Sequence, residues 1–152
     1  MASVFDKLNF KGQPEILVVN APPSFEPELS RLAGVVVHRS AAAAAEISFC
    51  LAFVTKQREI ESIARVVTAK AKGDAMVWFA YPKGTSKRYK CDFNRDSGWA
   101  ALGAAGFESV RVIAIDEDWS AKRFRRVEFI KSMSRDPKWA MSSVGKKKAA
   151  RK

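Results

Sequence analysis

Apolar residues run along this chain in short unbroken blocks separated by polar turns. Ile16-Leu17-Val18-Val19 is a continuous run of strand length, the pattern of a strand covered on both faces. Asn20-Ala21-Pro22-Pro23 stops it. Ser24 is then expected to cap a short helix carrying Phe25, Leu29 and Leu32, with Pro27 tolerated in its first turn. Gly34 closes that helix, and residues 35–37 predict a second, short strand. Residues 47–54 predict a third. The connection between them, 39–46, holds five alanines in a row and is shorter than a crossover with a full helix usually needs. Before all this, Phe5, Leu8 and Phe10 are placed to pack a first turn onto the body.

Residues 56–72 predict the clearest helix. Ile60, Ile63, Ala64, Val67 and Ala71 recur at three- and four-residue spacing and make one apolar stripe. Thr55 is the expected N-cap and Gly73 the expected C′ residue. Residues 75–81 are apolar throughout, so the fourth strand should be central. A basic loop, 82–93, follows. Asn94 is expected to cap a second helix carrying Trp99 and Leu102, with Gly98, Gly103 and Ala105 permitting close packing and Gly106 ending it. Strands over 110–115 and 122–130 are joined by a turn too short for a crossover, so the sixth returns antiparallel. The predicted fold class is α/β: a three-layer sandwich around a mostly parallel Rossmann-like sheet, order 2-1-3-4-6-5, with the last strand antiparallel.

Length and charge refine this picture. A chain of 152 residues is most simply one domain, expected here over 1–131, and it needs no disulfide or metal to bury a core. The formal charge of +11 is concentrated at the end, where Lys131, Arg135, Lys138, Lys146, Lys147, Lys148, Arg151 and Lys152 face Asp136 alone. Residues 132–152 therefore predict a basic, disordered tail. Two cysteines, no secretory signal and no apolar run of membrane length point to a reducing, cytoplasmic location and to no membrane partner.

In a parallel α/β sheet, ligands bind beyond the carboxyl ends of the strands. The most legible such end is Tyr81-Pro82-Lys83-Gly84-Thr85-Ser86-Lys87, continued by Arg88 and Lys90. Cations and short donors beside a glycine suit an anionic oxygen; the plain alternative is a solvated loop. Tyr81, Lys83, Thr85, Ser86, Lys87, Asn94, Arg95, Asp116 and Trp119 are the candidate ligand-binding residues, with an anionic small molecule as their partner. The usual nucleotide turn is missing, since two prolines remove backbone donors after the first strand and His38-Arg39 stands where an acid would hold a ribose. His38 lacks a partner at a recognisable spacing and reads as a surface histidine. Asp116, Glu117 and Asp118 suit a hard cation, but pairing with Lys122, Arg123, Arg125 and Arg126 is the better reading. Trp119 either caps the core or lines a pocket, with the core the favoured reading. In the tail, Lys146, Lys147, Lys148, Arg151 and Lys152 would attract nucleic acid without reading its sequence. No catalytic set, metal cluster or cofactor motif is recognised.

Two segments, Met76-Val77-Trp78-Phe79-Ala80-Tyr81-Pro82-Lys83-Gly84-Thr85-Ser86 and Val110-Arg111-Val112-Ile113-Ala114-Ile115-Asp116-Glu117-Asp118-Trp119-Ser120-Ala121-Lys122-Arg123-Phe124, together resemble a family of small bacterial proteins carrying domain of unknown function 3052. Its members tend to read W-x-x-[YW]-P-K at a strand end and V-D-x-x-W-S-x-[LK] later. The opening strand followed by Ala-Pro-x-x-Phe is also similar. The resemblance spans residues 5–130 and implies a fold neighbourhood without an activity. The element order also looks like a shortened methyltransferase-type sheet. The leading expectation is a non-catalytic binding or regulatory domain with an anion-favouring loop. The alternatives are an enzyme acting on a nucleotide-like or phosphorylated small molecule (degenerate methyltransferase-like), or a nucleic-acid accessory protein working through its tail.

Overall fold

The apolar blocks become the strands of one sheet in a computed structural model of the chain, which describes residues 4–40, 42, 45–93 and 98–130. The strands are β1 (Glu15–Val19), β2 (Val36–His38), β3 (Ile47–Phe53), β4 (Ala71–Pro82), β5 (Phe107–Ala114) and β6 (Trp119–Arg126). Their order is β2-β1-β3-β4-β6-β5. β2, β1, β3 and β4 pair in parallel, and β6 runs antiparallel between β4 and β5. Fold class and strand order are those predicted. β3 and β4 are apolar on both sides because both are covered.

Helices α3 (Gln57–Lys70) and α4 (Ala100–Ala104) lie on one face. There Ile60, Ala64, Val67, Trp99 and Leu102 pack with Val77, Phe79, Tyr81 and Phe124. The opposite face carries α1 (Val4–Lys7), a 3₁₀ turn (Pro23–Phe25) and α2 (Glu26–Ser30). Its core joins Phe5, Leu8, Phe25, Leu29, Phe49, Phe53, Trp78 and Trp119. Trp78 is fully buried, and its indole N–H donates to the Leu8 carbonyl at 3.0 Å. That bond satisfies the polar edge of an aromatic ring that buries a large apolar area and ties the first turn to the sheet's centre.

Local chemistry moved several boundaries. Ser24 makes no cap, and α2 ends at Ser30, before Leu32; Pro27 does sit in its first turn. Thr55 lies one residue too early to cap α3, whose N-cap position is Lys56. The Glu59 carboxylate reaches back instead, accepting from the N–H groups of Thr55 and Lys56 at 2.8 and 3.0 Å. Gly73 does not close α3, since the chain enters β4 directly at Ala71. Gly73 sits with φ +56 in the irregular stretch between the Ile47–Ala71 and Phe49–Met76 pairings. β6 starts earlier than predicted because its pairing with β4 begins at Pro82 opposite Trp119, and β5 starts earlier because its pairing with β6 already includes Phe107 opposite Arg126; β6 gives way to a 3₁₀ turn at Val127–Phe129. α4 is a short helix beginning after Trp99. Asn94, Arg95 and the whole basic tail lie outside the described residues. No described helix is long and apolar enough to cross a membrane.

Candidate functional site

The carboxyl end of β4 is held by the β5–β6 turn. The Asp116 carboxylate accepts from the N–H groups of Asp118 and Trp119 at 2.8 and 2.9 Å, closing the turn on itself. Asp118 then holds the loop beyond β4. Its carbonyl accepts from the Lys83 N–H at 2.8 Å, and its carboxylate accepts from the Ser86 hydroxyl at 2.9 Å. The same hydroxyl oxygen accepts from the Tyr89 N–H at 3.1 Å. Ser86 is consequently buried and acts as the loop's internal strut. At the far end of the loop, the Asp92 carboxylate accepts from the first N–H of α3, that of Gln57, at 2.7 Å. A carboxylate there complements the helix's positive end.

Under this loop lies a cleft of about 470 Å³. Tyr81, Pro82, Val112 and Ser120 form its floor on β4, β5 and β6, and Lys83, Gly84, Ser86, Tyr89, Lys90, Cys91 and Phe93 form its walls. Tyr81 and Phe93 lie 6.3 Å apart by ring centroid, and both approach Trp99. Gly98 permits this packing: its φ is +90, and a Cβ there would stand 2.9 Å from Phe93 Cβ. The Cys91 thiol donates to the Phe93 carbonyl at 2.9 Å. An apolar floor with two lysines and several hydroxyls at its walls has the composition of a small-molecule site.

Of the nine candidate residues, Tyr81, Lys83 and Ser86 line this cleft. Thr85 and Lys87 belong to the same loop but are exposed outside its lining. Asp116 and Trp119 are not in the lining either; Asp116 is occupied by the turn. Trp119 is buried against Phe53 and Tyr89, at 5.1 and 4.8 Å between centroids. The expected pairing of Asp116–Asp118 with the β6 cations is not what holds the hairpin. Arg125 engages Asp74 at 2.8 and 2.6 Å, and Arg126 donates to the carbonyls of Thr68 and Ala71. Sequence reasoning passed over Tyr89, Cys91, Phe93 and Ser120 as site residues. Ser120 stands opposite Tyr81 in the antiparallel β4–β6 pair, a register between strands distant in sequence that no local pattern announces.

The carboxyl ends of β1 and β2 are built differently. Asn20 adopts φ +58, and its amide donates to the Phe53 carbonyl at 3.4 Å, bridging β1 to β3. Pro22 and Pro23 lead straight into the 3₁₀ turn, whose Phe25 packs on Phe53 at 5.0 Å. Arg39, just past β2, forms a bidentate pair with Glu26 of α2 at 2.7 and 2.9 Å. These hydrogen bonds hold the Glu26 carboxyl below its ordinary value. His38 contacts Glu15 at 3.2 Å, across the β1–β2 pair. Among the described residues, no cluster of three or more His, Cys, Asp or Glu could hold a metal ion.

No family model matches the chain, and no curated protein does. Solved structures do. A methyltransferase from Aquifex aeolicus that depends on S-adenosylmethionine superimposes with a TM-score of 0.61 at 13% identity, over 81% of this chain and 87% of its own. Magnesium protoporphyrin IX methyltransferase from Synechocystis, solved with S-adenosylmethionine bound, gives 0.52 at 9% identity, over 81% and 74%. The fold is methyltransferase-like. This corrects the leading expectation of a non-catalytic binding or regulatory domain: four-fifths of the chain has a shape shared with enzymes, and the enzyme alternative is the better supported reading.

The residues at β1 and β2 do not fit S-adenosylmethionine in the way such a sheet holds a nucleotide-like ligand. A glycine turn would bring free backbone N–H groups to the ligand; here two prolines remove them. An acid would hold the ribose; here Arg39 stands, tied to Glu26. A shallow hollow beside Val19 and Asn20 is walled by Arg58 and Glu59, and one oxygen of Glu59 already serves the Thr55 and Lys56 N–H groups.

Proposed function

We propose that this protein is an enzyme of methyltransferase-like fold acting on a phosphorylated or nucleotide-like small molecule, and that the molecule sits in the cleft beneath the 83–93 loop. The observation that supports this most is the cleft's own make-up. It opens at the carboxyl edge of a parallel sheet, where such folds take ligands, and it sets Lys83, Lys90 and Phe93 in the walls above a floor that includes Tyr81. Lysines suit the phosphate as point charges, and the aromatic side chains of Tyr81 and Phe93 suit a planar apolar group. Ser86 and Asp118 position the loop without needing to touch the ligand. In the same reading, residues 1–131 are one domain with a basic tail, and the two quoted motifs place the chain near the small bacterial family of domain of unknown function 3052, in the cytoplasm.

The test is a thermal-shift series on the full chain with nucleotides, sugar phosphates, inorganic phosphate and S-adenosylmethionine. A ligand at 100 times its Kd adds about 2.7 kcal/mol of stability, several degrees in Tm for a domain of this size. A phosphorylated compound should produce that shift, and Lys83→Ala with Lys90→Ala should abolish it. Product formation from the best ligand would then be followed by mass spectrometry. A flat response to every phosphorylated compound would remove the cleft as their site.

A further inference from the structure

The loop beyond β4 carries more cations than the cleft beneath it takes up. Lys83 and Lys90 stand in the cleft walls, whereas Lys87 and Arg88 are exposed and lie outside the lining. Among the described residues none of these four stands in an ion pair. The acids of the loop and of the turn that holds it are engaged elsewhere. Asp92 accepts from the Gln57 N–H, Asp116 closes its own turn, and Asp118 takes the Ser86 hydroxyl; Glu117, exposed in that turn, pairs with none of the four. Residues 122–126 of β6 also hold four cations, but there Arg125 is paired with Asp74, Arg126 donates to two carbonyls, and the Lys122 ammonium lies 5.4 Å from the centre of the Trp99 ring.

The two outer cations are also fixed in place. The Ser86 N–H donates to the Lys83 carbonyl at 3.0 Å, the Tyr89 N–H donates to the Ser86 hydroxyl at 3.1 Å, and the Tyr89 ring packs on Trp119. Lys87 and Arg88 are the two residues between these anchors. Like charges are therefore held side by side on a braced backbone, at a cost in self-repulsion that a bound polyanion would relieve.

We propose that the ligand of the cleft is a nucleoside di- or triphosphate. Its base lies over Tyr81 and beside Phe93, its first phosphate meets Lys83 and Lys90, and the phosphates beyond cross the rim to Lys87 and Arg88. The inference rests on the enzyme reading of the cleft and sharpens its substrate class. A cleft of about 470 Å³ has the size of an ordinary small-molecule site, and its aromatic side chains favour a planar base over a bare sugar. A single phosphate held there leaves Lys87 and Arg88 without a counter-charge, whereas a chain of phosphates supplies one to both. The planar guanidinium of Arg88 suits a bidentate contact with a terminal phosphate, and the lysines act as point charges.

Isothermal titration calorimetry on the full chain tests this, with adenosine and guanosine mono-, di- and triphosphates and no divalent cation added. Affinity should rise by about tenfold from mono- to triphosphate, the worth of one charge-assisted hydrogen bond. Lys87→Ala with Arg88→Ala should remove that rise and leave the monophosphate affinity unchanged; both positions are exposed, so this variant should melt with the wild type. Lys83→Ala with Lys90→Ala should weaken every nucleotide. Replacing Lys146, Lys147 and Lys148 with alanine should preserve the rise. Equal affinity for mono- and triphosphates, or a rise that survives the loop variant and disappears with the tail lysines, would overturn the inference and leave the cleft to a singly phosphorylated molecule. Inorganic tripolyphosphate binding as tightly as the nucleoside triphosphates would overturn it too, since the base would then contribute nothing. Binding of no nucleotide at all would also end it, and the sugar phosphates of the thermal-shift series would decide separately whether the enzyme reading falls with it.

Discussion

The carboxyl edge of this sheet has two halves made from similar raw material to opposite effect. At β1 and β2 the chain turns through Asn20 and two prolines, buries Phe25 on Phe53 and ties Arg39 to Glu26. Every polar group in that list bonds another part of the protein. At β4 and β6 the loop is braced from behind by Asp118 and Ser86, which leaves Lys83 and Lys90 in the walls of an open cleft. The difference lies in where the struts stand. Struts across the strand ends fill the site, whereas struts behind a loop hold it open. A shared fold thus does not carry its binding site along unchanged.

The two halves are joined by a chain of rings. Phe25, Phe53, Trp119 and Tyr89 contact one another in turn, with centroids 5.0, 5.1 and 4.8 Å apart. Phe53 is the buried middle of that chain. Phe53→Ala should therefore have the largest effect: about 3–5 kcal/mol lost in chemical denaturation, the usual range for a buried Phe. It should also loosen Tyr89 and weaken ligand binding in the cleft. A loss under about 1 kcal/mol would mean the halves are mechanically separate.

The cysteines sharpen the contrast between interior and cleft. Cys50, in β3, is buried, and burial pushes its thiol up to about 12 from an ordinary value of 9. The unfolded chain loses that proton first. Stability from this group is complete below pH 9, falls by about 1.4 kcal/mol per pH unit as pH rises, and levels off near 12. Subtracting the same titration of Cys50→Ala isolates the slope; parallel curves would refute the burial argument. Cys91 is half-buried in the cleft wall. It should alkylate in the native state, and a bound ligand should slow it, while Cys50 stays unmodified.

Next in size is the strut. Ser86→Ala and Asp118→Asn should each cost about 1 kcal/mol, the net worth of a hydrogen bond of this kind. Because they serve one network, the double variant should cost little more than either single one. Simple additivity would show that Ser86 and Asp118 act apart. This pair also marks where sequence reading stops. The strand order was legible because unbroken apolar runs, one periodic helix and a short final turn leave few topologies. The basic loop was legible because lysines follow an apolar strand and a proline. The Ser86–Asp118 bond was not, since it spans 32 positions and depends on the register of β6 against β4. The same register decides that Ser120 faces the cleft while Trp119, one residue away, faces the other layer.

The smallest effect belongs to the Arg39–Glu26 pair, which is half exposed on both sides. Hydrogen bonds from Arg39 lower the Glu26 carboxyl, slight desolvation opposes them, and the charge of Arg39 adds to the lowering. Folding is therefore favoured by this group above the ordinary carboxylate range, and that contribution is lost as pH falls through the depressed value. Exposure and salt keep it small. The Tm gap between wild type and Arg39→Ala should be minor at neutral pH, and it should shrink in salt and close in acid. A gap as wide as that of Phe53→Ala, or one that persists in acid, would make the ion pair the main closure of this half. Its expected smallness says instead that the rings and prolines fill the carboxyl ends of β1 and β2, so placing an acid at position 39 should not by itself let S-adenosylmethionine in.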